Sequence, residues 1–543
     1  MSLLLLVSFS MPNFAYAQSF GTSNLDFNGF NGVNSGTSLM FGPDGRLYVL
    51  SLSGEIDVYT IQRIAQDNYE VTASETINTI KNIPNHNDDG SSTTTSNREA
   101  TGITVAGTAL EPIIYVTSSD PRVGGPSGDK ALDTNSGIIS RISWSSTTNT
   151  WTTVDLVRGL PRSEENHATN GLEFVTVNGV DFLIVCSGGH ANAGAPSDNF
   201  AWTTEYALSA AMLSVNLTML ESMPILTDDM GTAAIGDDRF YIYDLPTLDD
   251  PSRPNVNGII DPDDPGYDGI DNDDPWGGND GLNQAMIVTG GPVQIFSPGY
   301  RNTYDLTLTT DGKVFVTDNG ANGGWGGLPE NEGTANVTNN YINGEPGSSS
   351  PVGNEQVDNK DHLTIVTDDI QTYLWNSFYG GHPTPVRANP SGAGLYTNPT
   401  PNGTAGAVFR TLIYDPDGSR PNSTTDPDLG LPANWPPVPV ANPVEGDWRG
   451  PTVPNPDGPD DELITVWNNN TNGIDEYTAS NFGGAMQGDL IAGKNGGVLK
   501  RVQLNPSSDP SLSLNEQYAS GLNLNENFAS NLGGNALGIT CNS

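Results

Sequence analysis

Short runs of alternating apolar and polar residues recur along this chain, each closed by Gly, Asp, Asn or Pro, and helical periodicity is scarce. A period of two puts every second side chain on one face of a strand, and the turn residues fold the next strand back beside it. Residues 37–60 show the unit: a strand, a PDG turn, a strand, an SG turn and a third strand. Similar meanders lie at 110–120 with 137–144, at 171–187, at 305–318, at 461–469 with 474–478, and at 488–504. Repeated meanders in one long chain predict an all-β fold, a six-bladed β-propeller, because radial repetition leaves few open sheet edges. The one stretch that reads as a short helix is AWTTEYALSAAMLSVNL (201–217). Long loop insertions separate the meanders, at about 190–225, 245–285, 328–360 and 388–460. Connections of that length are functional loops or disordered segments.

The chain is organised around residues 297–327, SPGYRNTYDLTLTTDGKVFVTDNGANGGWGG. Two β-branched strands flank Asp311-Gly312, a hairpin turn in which Gly tolerates the positive φ required. Before the hairpin stands Arg301-Asn302, a fixed cation beside an amide. After it come Asp318, Asn319, Gly320, Ala321 and Asn322, a polar turn whose backbone can approach a ligand or metal closely.

Charge narrows the partners. With 64 acidic and 21 basic residues the formal net charge is -43. A nucleic-acid or anionic-membrane surface needs clustered Lys and Arg, so neither is expected. The N-terminal MSLLLLVSFSMPNFAYAQSFG carries an apolar run and an A-x-A site, read as a secretory signal over residues 1–17. Residues 18–543 are then a single exported domain, secreted or periplasmic, with no other segment apolar enough for a membrane span. The abrupt stop at GITCNS points to a fragment of a longer polypeptide. Two cysteines, Cys186 and Cys541, leave both one bridge and two free thiols open. In the insertion, DGIDNDD spaces carboxylates closely enough to wrap calcium, with Asp268, Asp271, Asp273 and Asp280 as ligands of a structural site. A solvated acidic loop is the alternative.

Five stretches, in order, resemble the glucose/sorbosone dehydrogenase family of soluble quinoproteins. They are GTSLMFGPDGRLYV (36–49), HATNGL (167–172), the Arg301-Asn302 hairpin with TDNG, YGGHPTPVR (379–387), and NGIDEYTASNF followed by GDLIAGKNGGVLKRV (472–502). The resemblance covers most of residues 36–504 outside the insertions. It implies a six-bladed propeller holding pyrroloquinoline quinone (PQQ) and calcium. It implies a dehydrogenase that oxidises a sugar or related alcohol and passes electrons to an external acceptor.

Carried over residue by residue, the resemblance makes His167 the general base, suited by a pKa near neutrality. Arg301, Asn302, Asn319 and Lys494 would hold the quinone, whose carboxylates and oxygens match a guanidinium fork. Calcium, a hard ion, would sit on the backbone carbonyls of Gly320 and Ala321, where the family has Gly-Pro. Two departures stand out. The family's acid that supports the base is absent from Cys186-Ser187-Gly188-Gly189-His190, leaving Asp198 or His190 as substitutes. The arginines that clamp the cofactor have only Arg387 and Arg449 as counterparts. Two rival readings stand beside the dehydrogenase: a non-catalytic carbohydrate-binding or adhesive propeller, and a calcium-dependent lactonase-like hydrolase.

Overall fold

The computed structural model of the chain describes residues 24–246, 285–325, 360–382 and 463–541, apart from short stretches at 66–67, 88–91, 125–129, 131, 193–197, 201–204, 206–207, 229–237, 286, 289, 379, 469, 533 and 535. The signal segment, the acidic insertion with Asp268, Asp271, Asp273 and Asp280, and Arg387 and Arg449 lie outside the described residues.

The described residues form a β-propeller of five sheets. The first blade is β1 (Gly36–Phe41), β2 (Leu47–Ser51), β3 (Ile56–Ala65) and β4 (Asn68–Ile77). The second is β5 (Glu99–Gly107), β6 (Pro112–Ser119), β7 (Gly137–Ser145) and β8 (Thr150–Leu160). It is widened outward by β12 (Leu226–Asp228) and β13 (Arg239–Asp244), the latter parallel to β8. The third comprises β9 (Thr169–Val177), β10 (Val180–Ser187), β11 (Ala211–Asn216) and β14 (Val293–Pro298). The fourth holds β15 (Thr303–Leu308), β16 (Val314–Asp318), β17 (Asp361–Thr367) and β18 (Thr465–Trp467). The fifth is β19 (Thr471–Glu476), β20 (Leu490–Lys494), β21 (Val498–Leu504) and β22 (Leu522–Ala529). Among these residues no helix is long and apolar enough to cross a membrane.

The expected count of six blades is corrected to five sheets among the described residues. The last two meanders of the sequence are not two blades. Thr465–Trp467 pairs with Asp361–Leu363 as the outer strand of the fourth blade, whereas 471–476 and 490–504 belong to one sheet. The stretch between β17 and β18 hides that membership from a local reading.

The 201–217 segment also differs from its expectation. Ala211–Asn216 is a strand, and the helix α1 comes after it, at Leu217–Glu221. AMLSV is buried on both faces, so an interior strand reads as a continuous apolar run with no period. Asn216 caps α1 by accepting from the Met219 N–H at 2.8 Å. A second helix, α2 (Leu514–Ser520), opens on a reciprocal Ser513–Glu516 capping box.

Apolar residues fill the seams between neighbouring blades. Tyr48, Leu50 and Val58 meet Ile103, Val105 and Val116 between the first and second. Leu183 and Val185 meet Ile139 and Val157 in the next seam. Ile184, Met212 and Phe296 meet Leu306, Val314 and Val316 in the third, and Phe315 and Leu363 meet Ile474 and Leu490 in the fourth. Cys186 is buried in the third seam, and both cysteines are free thiols.

Side chains also lace the inner strands together. Thr37 Oγ1 donates to the Ala100 carbonyl (2.7 Å), Thr101 Oγ1 to that of Thr169 (3.0 Å), and Asn170 Nδ2 to that of Thr303 (2.8 Å). Thr317 Oγ1 reaches the Asn472 carbonyl (2.6 Å). The ring is completed by the extended segment 536–541, wedged between the fifth blade and the first. A Cβ on Gly473 would stand 2.7 Å from the Leu537 carbonyl oxygen, and one on Gly538 would stand 2.8 Å from Ser38 Cα. The Cys541 N–H donates to Asp475 Oδ2 at 2.6 Å.

Candidate functional site

The starts of the inner strands, the segment before β9 and the turns after β2, β16 and β20 gather at one end of the ring. There they enclose a cavity of about 320 Å³. Thr37, Glu99, Thr101, Asn170, Tyr304 and Asn472 come from the strand starts. Six residues singled out from the sequence line it together: His167, Arg301, Asn302, Asn319, Gly320 and Asn322. A volume at the lower end of the range for small-molecule sites suits one ring-sized ligand.

His167 stands just before β9 and is 2% exposed. Its Nδ1 lies 2.8 Å from the Gly189 carbonyl oxygen. A carbonyl can only accept, so Nδ1 carries the proton and Nε2 keeps its lone pair. The Glu165 carboxylate lies 3.7 Å from Nε2. Burial first, and then the positive charge of Arg301, hold the imidazole well below its ordinary pKa of 6.5. Burial pushes the Glu165 carboxyl upward. The Phe200 ring packs 5.1 Å from the imidazole, and Trp325, which lines the cavity, packs on Phe200 at 6.3 Å. The partner of Nδ1 is thus a backbone carbonyl and not a carboxylate. His190 gives its N–H to Glu205, and Asp198 opens a short 3-10 turn next to Phe200.

Arg301 and Asn302 are pinned by Asp318 at the end of β16. Its two carboxylate oxygens accept from the Arg301 N–H (3.0 Å) and the Asn302 N–H (2.7 Å). Asn192 Oδ1 accepts from Arg301 Nε (3.1 Å) and from the Asn322 N–H (2.8 Å), while its Nδ2 donates to the Asn322 carbonyl (3.0 Å). Burial lowers the pKa of Arg301, partly offset by Glu165, Asp318, Asp361 and Glu205. Its guanidinium stays charged at any ordinary pH. Asp361 holds the next turn, accepting from the Gly320 N–H (3.2 Å) and the Thr471 N–H (2.7 Å).

The fit to a cofactor is legible in what these groups leave unused. Three buried polar atoms on cavity residues have no partner among the described residues: Arg301 Nη2, Asn319 Oδ1 and Asn495 Oδ1. A buried polar group without a partner costs about 1–3 kcal/mol, so three in one cavity favour an oxygen-rich ligand that supplies both acceptors and positive charge. Among the described residues no donor reaches the carbonyls of Gly320 or Ala321, which are therefore free for a hard cation. No three His, Cys, Asp or Glu side chains among the described residues converge on a metal position. Lys494 ends β20 beside Lys500 and does not line the cavity; its neighbour Asn495 does.

Sequence reasoning passed over Glu165, Asn170, Asn192 and Asn472. For two of them a signal was present. Thr169-Asn170-Gly171 and Thr471-Asn472-Gly473 repeat the same triplet at the starts of two inner strands.

No family model matches the sequence, and no curated protein matches it. Similar solved structures include the PQQ-bound aldose sugar dehydrogenase of Streptomyces coelicolor, at 12% identity over 87% of this chain and 78% of that one, with a TM-score of 0.37. A putative oxidoreductase (glucose dehydrogenase) from Thermus thermophilus is 12% identical over 88% of this chain and 82% of its own, with a TM-score of 0.36. The calcium structure of a Family AA12 carbohydrate-active enzyme from Trichoderma reesei is 13% identical over 65% of this chain, with a TM-score of 0.30. The chain spans about half the length of that enzyme, 55%. Likenesses this faint decide neither reaction nor substrate.

Proposed function

We propose that this chain is an exported oxidoreductase that takes hydride and proton from a sugar or related alcohol with bound PQQ and calcium, and passes the electrons to an external acceptor. The observation that carries the reading is a single one: a neutral imidazole, held through Nδ1 by a backbone carbonyl and with the Glu165 carboxylate 3.7 Å from Nε2, lines the same cavity as a buried guanidinium whose Nη2 has no partner among the described residues. When bound, the quinone supplies the hydride acceptor. The protein's part is to position and to move one proton. His167 Nε2 takes the proton from the substrate hydroxyl, and its depressed pKa keeps that lone pair available well into mildly acidic solution. Arg301 Nη2, with Asn302 and Asn319, holds the anionic cofactor, and the carbonyls of Gly320 and Ala321 take calcium. Lys494 enters the site only through a rearrangement of the turn after β20.

The test is a titration of purified protein with PQQ and calcium, followed by absorbance and by dye reduction with a panel of aldoses. Sugar-dependent reduction that is lost in His167→Ala, with cofactor still bound, is the expected result. Absence of cofactor binding in folded protein refutes the reading. One observation favours a second reading, a lactonase-like hydrolase. Eight asparagines line the cavity (Asn166, Asn170, Asn302, Asn319, Asn322, Asn470, Asn472 and Asn495), and amide oxygens bind calcium. Calcium-dependent lactone hydrolysis without quinone would favour it.

A further inference from the structure

The loop Gly188–Asn192 after β10 joins the two halves of the cavity's chemistry. The Gly188 N–H donates to the Ala168 carbonyl (2.9 Å), next to His167, and the Gly189 N–H donates to the Arg301 carbonyl (2.8 Å). The Gly189 carbonyl receives His167 Nδ1, and Asn192 receives Arg301 Nε. What anchors the loop itself is a residue outside the cavity lining, Glu205, which is wholly buried. Its Oε2 accepts from the His190 N–H (2.7 Å) and Ser209 Oγ (2.6 Å). Its Oε1 accepts from the Ala191 N–H (3.0 Å) and His382 Nε2 (3.0 Å). There is no slack between loop and carboxylate. A Cβ added at Gly189 would stand 2.6 Å from Glu205 Oε1 and 2.9 Å from the Arg301 carbonyl oxygen.

We propose that Glu205 is a positioning residue: by gripping two successive backbone N–H groups it aims the Gly189 carbonyl at His167 and thereby sets the His167 tautomer. A buried carboxylate with four donors is fixed in direction, because each donor lost leaves charge uncompensated in a low-dielectric site. The peptide plane between Gly189 and His190 presents its N–H to Glu205 and its carbonyl to His167. The two bonds therefore move together. Orienting the imidazole through a neutral carbonyl, with the carboxylate one peptide away, holds the ring without placing a full negative charge on Nδ1. His167 thus remains neutral, with its lone pair directed at the cavity.

The consequence for proton transfer rests on the function proposed above, but the tautomer does not, and it is read in ligand-free protein. The chain has five histidines, so long-range proton–nitrogen correlation spectra of the imidazole nitrogens are tractable, with His167 identified by its loss in His167→Asn. Wild type is expected to show a protonated Nδ1 and a pyridine-like Nε2. Glu205→Gln turns one acceptor arm into a donor facing donors, and the His167 nitrogens should move to averaged positions. His382→Gln, which keeps a side-chain N–H toward Glu205, should retain the wild-type pattern, and His382→Leu should lose it in part. A folded Glu205→Gln with unchanged His167 nitrogens overturns the proposal. Should that variant not fold, an unchanged pattern in His382→Leu does the same. A protonated Nε2 in wild type overturns it at once.

Discussion

Asp318→Asn separates two roles of one carboxylate. In the native protein burial pushes the Asp318 carboxyl from the ordinary 3.8 to about 6, although the amides of Asn302 and Arg301, and then His382 and the Arg301 charge, pull it down. A shift of that size corresponds to on the order of 3 kcal/mol of unfavourable charge burial at neutral pH. Because the folded carboxyl holds its proton more tightly than the unfolded one, that loss is absent below about pH 4 and complete above about pH 7. Asparagine carries no such charge. It keeps one acceptor oxygen but turns an N–H toward one of the two amides, at a cost of about 1–3 kcal/mol that does not vary with pH. The variant is therefore expected to be less stable than wild type at pH 4 and to draw level with it, or pass it, at pH 7. The assay is urea unfolding at several pH values, followed by tryptophan fluorescence and checked for reversibility. The difference in unfolding free energy should change by about 3 kcal/mol across that window. A difference that stays constant within about 0.5 kcal/mol, the usual scatter between independent sites, refutes the reasoning.

Stability should also fall as pH rises from 6.5 toward 8.5. Burial holds the Asp305 carboxyl at about 8 and that of Asp361 at about 7, so the folded state keeps protons there that the unfolded chain has released. Thermal melts over that range check this, and Asp305→Asn should flatten the slope. Asn192→Ala removes the acceptor that Arg301 Nε and the Asn322 N–H share, and should cost about 2–4 kcal/mol while loosening the guanidinium, seen in its side-chain nitrogen resonances. Gly473→Ala would drive a methyl into the Leu537 backbone and should lower the melting temperature by several degrees. Under native conditions a thiol reagent should modify Cys541 before Cys186, because only Cys186 is wholly buried; equal rates would argue against the closed third seam.

Much of the fold was legible because it rests on local chemistry. The hairpin at Asp311-Gly312 forms as expected, with Gly312 at a φ of +91°. The meanders at 37–60 and 171–187 are strand pairs in the expected places. What failed was membership over distance. Nothing local tells Thr465–Trp467 that its partner is β17, about a hundred residues earlier. The candidate site divides along the same line. Arg301, Asn302 and Asn319 flank a recognisable hairpin and stood out. Asn192 holds the Asn322 backbone from 130 residues away and Glu205 holds the backbone of a loop 14–15 residues before it, and a single amide or carboxylate in a loop carries no mark of that task. Lys494 shows the converse: it stood out in the sequence and is not among the residues that line the cavity. Lys494 is the last residue of β20, and the cavity is lined instead by Asn495, the first residue of the turn that follows.

The wedge formed by residues 536–541 has a consequence in time. Leu537 is one wall of the cavity, while Thr37, on the opposite flank of the same closure, is made some five hundred residues earlier. At a synthesis rate of about 5–20 residues per second, the first wall waits for the last for roughly half a minute or more. From the moment each is made until that closure, His167, Arg301 and Asn319 stand on a strip with one open side, where water reaches groups that the finished ring shelters. Anything that needs the closed cavity to be held tightly can be taken up only after the circle shuts, so the order of events is set by the chain itself: assembly first, loading second.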